Sequence, residues 1–275
     1  CAAGAATLAP ARTAAREITV MSANQRAVTA GIVVIGDEIL SGRTRDINIQ
    51  QIAEFLAPQG VSVIEARVVS DDHDAIVEAV RALSERCDYA FTTGGIGPTH
   101  DDITADAVAA AFNRSIDIRQ DAREILERWY ENSGTELTEA RLRMARIPDG
   151  AALIDNPVTG APGFQLENVF VLAGVPKIVA GMLQDVSGRI EGGAVVKSET
   201  VRVENAREGD MAARLKEIEA DHEGVSIGSY PWFEDTAQGL RRGVALVARS
   251  SDAGALETAK AALERLAKDI ETAQR

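Results

Sequence analysis

Compact apolar runs alternate with amphipathic segments from Val28 onward. Three runs rich in β-branched or aromatic residues predict buried strands: VTAGIVVI (28–35), VSVIEARVV (61–69) and DYAFTT (88–93). Between them, apolar residues at helical spacing predict one helix through Ile49 and Leu56, which ends at Gly60, and a second through Ile76 and Leu83. Strands that alternate with helices of this length indicate βαβ crossovers, and hence a parallel sheet with helices on both faces.

The middle of the chain adds helices and a hairpin to this pattern. A helix is predicted to start near Asp102, and helical segments are predicted at 122–130 and 139–146. The stretch GFQLENVFVLAG predicts a hairpin that turns at residues 167–168. Pro176 suits the first position of a helix that ends near Gly188.

The alternation of single strands and helices ends after GRIEGG (188–193), which resembles a linker. Beyond it we predict a strand, a helix, two strands adjacent in sequence and a final helix: 195–203, 208–220, 225–230, 243–249 and 253–273. The predicted fold is therefore α/β, a three-layer α/β/α sandwich with a mostly parallel sheet at 27–190, followed by a small α+β domain at 194–275. Residues 1–26 are predicted to be disordered or an extension.

Composition narrows the classes of function. The net charge of −13 argues against nucleic-acid binding, which relies on clustered Lys and Arg. The longest apolar run, AGIVVI, is too short to span a bilayer, so no membrane partner is expected. Two cysteines, Cys1 and Cys87, are too few for a disulfide scaffold, and a reducing cytoplasm is the predicted location.

Three polar clusters follow the first three predicted strands: GDEILSG (36–42), SDDHD (70–74) and TTGGIGPTHDD (92–102). The carboxyl ends of parallel strands share one edge of a sheet, where α/β proteins bind ligands. That edge is predicted to collect six carboxylates: Asp37, Glu38, Asp71, Asp72, Asp101 and Asp102. As an alternative, Asp72 or Asp74 caps the second helix and Asp101 or Thr99 caps the next, because Asp and Thr are common N-caps.

The third cluster carries most of the functional information. Gly94, Gly95 and Gly97 lose much backbone entropy on folding, and a close approach of backbone to a ligand explains that cost. The loop lacks both GxxxxGK[ST] and the third glycine of GxGxxG, which disfavours a P-loop NTPase and a Rossmann dehydrogenase. No GxSxG elbow occurs, which disfavours a serine–histidine hydrolase.

TTGGIGPTHDDIT resembles the signature of the molybdopterin-binding (MoaB/Mog-like) domain. Similar domains form the N-terminal half of competence/damage-inducible protein A and of eukaryotic FAD synthases. Further matches lie in the same order from Ala27 to Ser187: GDEILSG with Asn48, SDDHDAI, NPVTGAPGF and LAGVP. GSYPWF (228–233) is similar to the small domain that follows in short bacterial and FAD-synthase-like members.

The resemblance implies a pocket for a pterin or a nucleotide with phosphate groups, molybdopterin being one possible ligand, in a fold that often trimerises. In molybdenum-cofactor members, the positions that match Asp72 and Asp102 are tied to adenylyl transfer. The competence-protein and FAD-synthase branches are associated with metal-dependent hydrolysis of nucleotide pyrophosphates such as ADP-ribose or FAD. Ile96 stands where molybdenum enzymes usually have Thr, and Ile178 stands where many competence proteins have an acid.

We therefore predict a metal-dependent nucleotide pyrophosphatase that uses Mg²⁺, Mn²⁺ or Co²⁺ and forms a homo-oligomer, a trimer or a dimer. Asp72 and Asp102 are the predicted catalytic residues, and Asp72, Asp101 and Asp102 the predicted metal ligands. The predicted ligand-binding residues are Thr93, Gly94, Gly95, Gly97, Thr99, Gly36, Asp37, Glu38, Asn156 and Gly160. Two alternatives remain open: an adenylyl-transfer step of molybdenum-cofactor synthesis, and a binding module without turnover.

Overall fold

The computed structural model describes residues 27–237 and 239–274, so the predicted N-terminal extension lies outside the described residues. The elements in chain order are β1 (Val28–Ile35), α1 (Asp37–Leu40), α2 (Asn48–Leu56), β2 (Val61–Val69), α3 (His73–Arg86), β3 (Tyr89–Thr93), α4 (Thr104–Ala111), β4 (Ile116–Ile118), α5 (Gln120–Ser133), α6 (Glu139–Leu142), β5 (Arg146–Pro148), β6 (Ala152–Ile154), β7 (Gly163–Leu166), β8 (Val169–Leu172), α7 (Pro176–Val186), β9 (Lys197–Glu204), α8 (Glu208–Asp221), β10 (Ser226–Thr236), β11 (Gly239–Ser250) and α9 (Ala253–Ala273).

Six strands form the central sheet, in the order β2-β1-β3-β8-β7-β6. β1 pairs in parallel with β2 and β3, and β3 pairs in parallel with β8. The other two strands, β7 and β6, are antiparallel to their neighbours, and β7 and β8 form the predicted hairpin. The α/β class with a mostly parallel sheet is confirmed. The loops after β1, β2, β3 and β8 leave the same edge of this sheet and form the candidate site.

The two faces of β1 (Val28–Ile35) pack into two separate cores, which is why the strand is buried and free of polar side chains from Ala30 onward. Val33 and Ile35 pack on one side with residues of α3 and α4 such as Leu83 and Val108. Ile32 and Val34 pack on the other side with residues of α2 and α7: Ile52, Leu56, Val179 and Met182. Helices therefore cover both faces of the sheet, as predicted.

The C-terminal part forms a separate antiparallel sheet in the order β10-β11-β9. One face of this sheet packs against α8 and α9, since Val203, Leu246 and Ala248 share a core with Met211 and Leu263. This is the small α+β unit that the strand–helix–strand–strand–helix order predicts.

Several boundaries differ from the predictions. β10 was predicted to end at Tyr230 but continues to Thr236, and β11 begins at Gly239 instead of Gly243. Pro231 is compatible with this longer hairpin because β10 is an edge strand, where a residue without an N–H group is tolerated. The helix predicted near Asp102 begins two residues later, at Thr104.

Candidate functional site

The glycine loop after β3 is held by hydrogen bonds to the start of α4. The buried Thr104 donates from Oγ1 to the Gly94 carbonyl at 2.9 Å, and its amide donates to the Gly95 carbonyl at 3.0 Å. A Cβ at Gly94 would lie 2.2 Å from the Ile35 carbonyl oxygen, and one at Gly95 would lie 2.2 Å from Thr104 Oγ1. Both glycines also have positive φ, of 103° and 66°. The protein's own packing thus requires these two glycines, in addition to any close approach of a ligand that the sequence pattern predicts.

Gly97 has a different neighbour, the carboxylate of Asp102. A Cβ at Gly97 would lie 2.7 Å from Asp102 Oδ2. That oxygen accepts hydrogen bonds from the Thr99 amide at 2.7 Å and from Thr99 Oγ1 at 2.5 Å. No described residue donates to Oδ1, which is left available to a ligand or to water.

Neither Thr99 nor Asp101 caps α4. The residue before that helix is Ile103, and no side chain accepts a hydrogen bond from the first turn. The capping alternative is therefore wrong for this loop. Its Thr99 and Asp102 side chains bond to each other and shape the turn.

Three successive backbone amides of the loop are available as donors. The N–H groups of Gly95, Ile96 and Gly97 donate to no acceptor within the described part of the chain. Each of these residues is only partly buried. Unpaired backbone N–H groups in succession form an anion-binding concavity, the arrangement that phosphate loops use.

The loop opens onto a cavity of about 590 Å³. Polar groups line one part of it, with Glu38 and Asp102 as carboxylates and Arg141 as a cation. Apolar side chains form much of the remaining wall: Ile96, Met144, Ala161, Val175, Pro176 and Ile178. A cavity of this size and mixed polarity suits a small molecule that has both an anionic group and an apolar ring.

The loops after β1 and β2 bring further carboxylates to the same edge of the sheet. Asp71 Oδ2 accepts a hydrogen bond from the Asp37 amide at 2.9 Å. Partial burial raises the pKa of Asp71, and the nearby charges of Asp37, Glu38 and Asp101 raise it further, although the Asp37 amide opposes the change. The predicted acid cluster is thus present in part, with Asp71 at its centre.

Asp72 makes the contact that the capping alternative predicts. Its Oδ1 accepts a hydrogen bond from the Ala75 amide at 2.9 Å and caps α3. It does not belong to the lining of the 590 Å³ cavity, to which Asp102 does belong. The structure thus supports the capping alternative for Asp72 and does not bring the two predicted catalytic residues together in this cavity.

Of the remaining predicted ligand residues, Asn156 lines the cavity, whereas Gly36, Thr93 and Gly160 are buried. The amide group of Asn156 closes its own loop: Nδ2 donates to Thr159 Oγ1 and to the Ala161 carbonyl, and Oδ1 accepts from two backbone amides. At Gly160, with φ of 72°, a Cβ would lie 2.5 Å from the Trp129 ring, so this glycine fits beneath an aromatic side chain.

Among the cavity-wall residues that no sequence motif predicts are Tyr130, Arg141 and Met144. The Arg141 guanidinium lies 5.0 Å from the centre of the Tyr130 ring and donates to the Glu136 carbonyl. The helical periodicity locates the segments that carry these residues, but no motif marks their side chains as part of a site.

The described residues contain no group of three His, Cys, Asp or Glu side chains that could hold a metal ion. Asp72, Asp101 and Asp102 therefore do not form one ligand set. In the same part of the chain, no helix combines the length and the apolar character needed to cross a membrane.

Comparison with known proteins identifies two matches along the chain. Residues 31–191 match the probable molybdopterin binding domain, and residues 196–273 match the middle domain of FAD synthase. The two matches meet within residues 191–196, between α7 and β9.

Individual relatives match this chain over most of its length or over its N-terminal part. A protein of Aeropyrum pernix is 34% identical over 258 residues, which cover 88% of this chain and 93% of the relative. A CinA-like protein of Gemmatimonas aurantiaca is 35% identical over 212 residues, which cover 73% of this chain and half (50%) of that longer relative. The crystal structure of the protein CinA with unknown function from Thermoplasma acidophilum is 36% identical, with a TM-score of 0.54, and covers 58% of this chain and 98% of its own.

Proposed function

The chain belongs to the family of the probable molybdopterin binding domain, and on that premise we propose that it hydrolyses a nucleotide pyrophosphate. The substrates proposed are FAD or ADP-ribose, bound in the 590 Å³ cavity. A pterin with phosphate groups, molybdopterin included, is a further ligand of the same chemical class. The match of residues 196–273 to the middle domain of FAD synthase supports a nucleotide over a pterin.

One observation carries the proposal: unpaired backbone amides and a carboxylate share one cavity. The N–H groups of Gly95, Ile96 and Gly97 suit the oxygens of a phosphate. Asp102 would repel a bare phosphate, but it suits a cation or a water molecule beside it. Its Oδ2 is held by Thr99, so Oδ1 keeps a defined position.

The apolar wall suits the ring system of the same ligand. Ile96 contributes its backbone amide to the phosphate-binding group and its side chain to this wall, so phosphate and ring would bind next to each other. Tyr130 and Arg141 offer planar surfaces for a flavin, adenine or pterin ring.

A divalent cation, Mg²⁺, Mn²⁺ or Co²⁺, remains part of the proposal. The protein offers Glu38 and Asp102 in the cavity, which is too few ligands for a self-contained site but is usual for Mg²⁺, which takes further oxygens from phosphates and water. Such a cation would neutralise charge on the phosphate oxygens. The protein's own groups would orient the pyrophosphate, keep the ring out of water and position the attacking water.

In the proposed reaction, the oxygen of a water molecule bonds to one phosphorus of the P–O–P bridge. The bridging P–O bond on that phosphorus breaks, and both products are phosphate monoesters. FAD would yield AMP and FMN, and ADP-ribose would yield AMP and ribose 5-phosphate. In this proposal, Asp102 Oδ1 accepts a hydrogen bond from the attacking water.

The proposal is tested by incubating the pure full chain with FAD or ADP-ribose and each cation, and by quantifying AMP by chromatography. We expect Asp102→Asn to lower AMP release at least tenfold, about 1.4 kcal/mol in activation free energy. Asp72→Asn is the matched control, because it removes the same charge outside the cavity and Asn still caps a helix. Equal activity of Asp102→Asn and the wild type would refute the site. Adenylylated pterin formed from ATP and molybdopterin would support transfer instead, and binding without any product would support a non-catalytic module.

A further inference from the structure

Asn48 is a buried polar residue on the apolar face of α2. The residues that α2 buries are Asn48, Ile52 and Leu56, whose spacing of four places them in one row along the helix. Ile52 and Leu56 pack in the core beside the central sheet. Asn48 is only 5% exposed, and its side-chain oxygen Oδ1 meets no donor in the described part of the chain. A buried polar atom without a partner lowers stability, so packing alone does not account for an asparagine at this position.

The nitrogen end of the Asn48 amide bonds to a segment of the candidate site. Nδ2 donates to the Gly174 carbonyl at 2.7 Å. The reverse orientation of the amide would set two carbonyl oxygens against each other, so this contact decides which end is the nitrogen. Gly174 lines the 590 Å³ cavity, and Asn48 does not. The asparagine therefore acts on the cavity through the backbone of the loop after β8.

Gly174 lies within the segment that forms much of the apolar wall. Ala173, Val175 and Pro176 are next to it in the chain and line the same cavity. Its backbone also touches the glycine loop, because a Cβ at Gly174 would lie 3.2 Å from the Gly94 Cα. Gly174 is thus the point at which the wall segment meets the loop whose amides are available to a phosphate.

The wall segment and the glycine loop have separate anchors. Thr104 holds the glycine loop through the carbonyls of Gly94 and Gly95. Asn48 holds the wall segment at Gly174, a residue that is otherwise exposed. Loss of the Asn48 bond would therefore release the wall segment without breaking a hydrogen bond of the glycine loop.

We propose that Asn48 is a positioning residue that fixes the apolar wall relative to the phosphate-binding amides, and so favours ligands that join a ring to a phosphate. This role rests on the proposed function, which assigns the ring and the phosphate to these two parts of one cavity. Inorganic phosphate needs only the amides, so its binding should not depend on Asn48. A nucleoside monophosphate such as AMP needs both parts at the correct separation.

Calorimetric titration of the pure full chain with AMP and with inorganic phosphate, in the presence of Mg²⁺, tests this role. We expect Asn48→Leu to weaken AMP binding by about tenfold and phosphate binding by less than about twofold. Its urea midpoint should equal or exceed that of the wild type, because leucine removes the unpaired oxygen and the exposed Gly174 carbonyl can bond to water. Gln51→Leu is the matched control and should keep wild-type affinity for AMP. Gln51 also has a buried oxygen on α2 without a donor among the described residues, but it does not line the cavity.

Asn48→Asp adds a readout that a change in packing would not produce. A carboxylate at this position repels the Gly174 carbonyl, whereas a protonated carboxyl can donate to it. Burial should raise the pKa of the new carboxyl, and so should the Asp46 carboxylate, which accepts a hydrogen bond from the Asn48 backbone amide. The AMP affinity of Asn48→Asp, taken relative to wild type at the same pH, should therefore be low at about pH 8 and recover towards about pH 5. Asn48→Leu should show no such recovery.

The possible failures of this experiment are distinguishable. AMP binding by the Asn48 variants that equals wild type at every pH would overturn the positioning role, and so would an equal loss of AMP and phosphate binding. Affinity of Asn48→Asp that does not recover relative to wild type would overturn the hydrogen bond to Gly174 as the cause. A wild-type chain that binds phosphate but no AMP would contradict the proposed function itself, and the role of Asn48 with it.

Discussion

Gly97→Ala should act on the site through one side chain, the carboxylate of Asp102. The φ angle of Gly97 is not positive, so the backbone accepts alanine. The added Cβ would lie 2.7, 3.0 and 3.1 Å from the three carboxylate atoms of Asp102, well inside the 3.4 Å at which ordinary contact begins. The carboxylate must therefore move and lengthen its hydrogen bonds to Thr99.

The size of the effect follows from those two bonds. The Thr99 amide and hydroxyl donate to Asp102 at 2.7 and 2.5 Å, and both bonds are exposed to solvent. At about 1 kcal/mol for each bond, Asp102→Ala should lower the free energy of unfolding by about 2 kcal/mol. Gly97→Ala should lower it by about 1 to 2 kcal/mol, because the bonds are strained and not removed.

A double-mutant cycle isolates this contact. Once Asp102 is alanine, the new methyl group at residue 97 meets no carboxylate, and Gly→Ala should be neutral or should stabilise by up to about 1 kcal/mol. Urea unfolding of the wild type, both single variants and the double variant therefore should show a coupling of at least about 1 kcal/mol. Additive losses would show that Gly97 does not act through Asp102. If the proposed hydrolysis occurs, AMP release should fall in Gly97→Ala, as is expected for Asp102→Asn.

Three further substitutions test other parts of the site. Asp71→Asn should raise the unfolding free energy near neutral pH, by on the order of 0.5 kcal/mol after solvent screening. The pKa of Asp71 is raised in the folded state, so the wild-type protein becomes relatively more stable as this carboxyl protonates at low pH. The urea midpoints of wild type and Asp71→Asn should therefore converge below about pH 4. A difference in midpoint that persists below that pH would refute the raised pKa of Asp71. Thr104→Val leaves the Gly94 carbonyl without its side-chain donor in a buried site and should cost about 1 to 3 kcal/mol in the same assay, whereas an unchanged midpoint would show that the bond is dispensable. Gly160→Ala combines a positive φ with a clash against the Trp129 ring, and a fall of several degrees in Tm, accompanied by a shift in Trp fluorescence, should report it; an unchanged Tm and spectrum would show that the loop yields without strain.

The regular strands and helices were predictable because the spacing of apolar residues in each segment identifies the face that is buried. The run at 28–35 has no polar side chain after Thr29, and the structure buries residues 30–35 on both faces of the sheet. The choice between adjacent aspartates was not predictable in this way. Asp72 caps α3, and Asp71 accepts a hydrogen bond from the Asp37 amide. These roles depend on where the loop after β1 lies in three dimensions, which the sequence of the two aspartates does not reveal.

The cavity wall was harder to predict than the loop. Tyr130 and Arg141 come from helices that lie between β3 and the hairpin, and they reach the cavity only through the packing of those helices. Each residue alone is an ordinary member of an amphipathic helix. The glycine loop, by contrast, stands out because glycines beside a helix start are locally unfavourable and need a reason.

The parallel pairing of β3 with β8 sets the order in which the binding site can assemble during folding. Residues 90–93 join residues 169–172 across a long stretch of intervening chain. Closing so long a loop is slow, so this pairing belongs among the late events of folding. The loop after β3 and the segment after β8 line the cavity together, and neither can form its wall alone. A refolding chain should therefore regain its helices well before it completes the cavity, and that delay gives a kinetic measure of when the centre of the sheet forms.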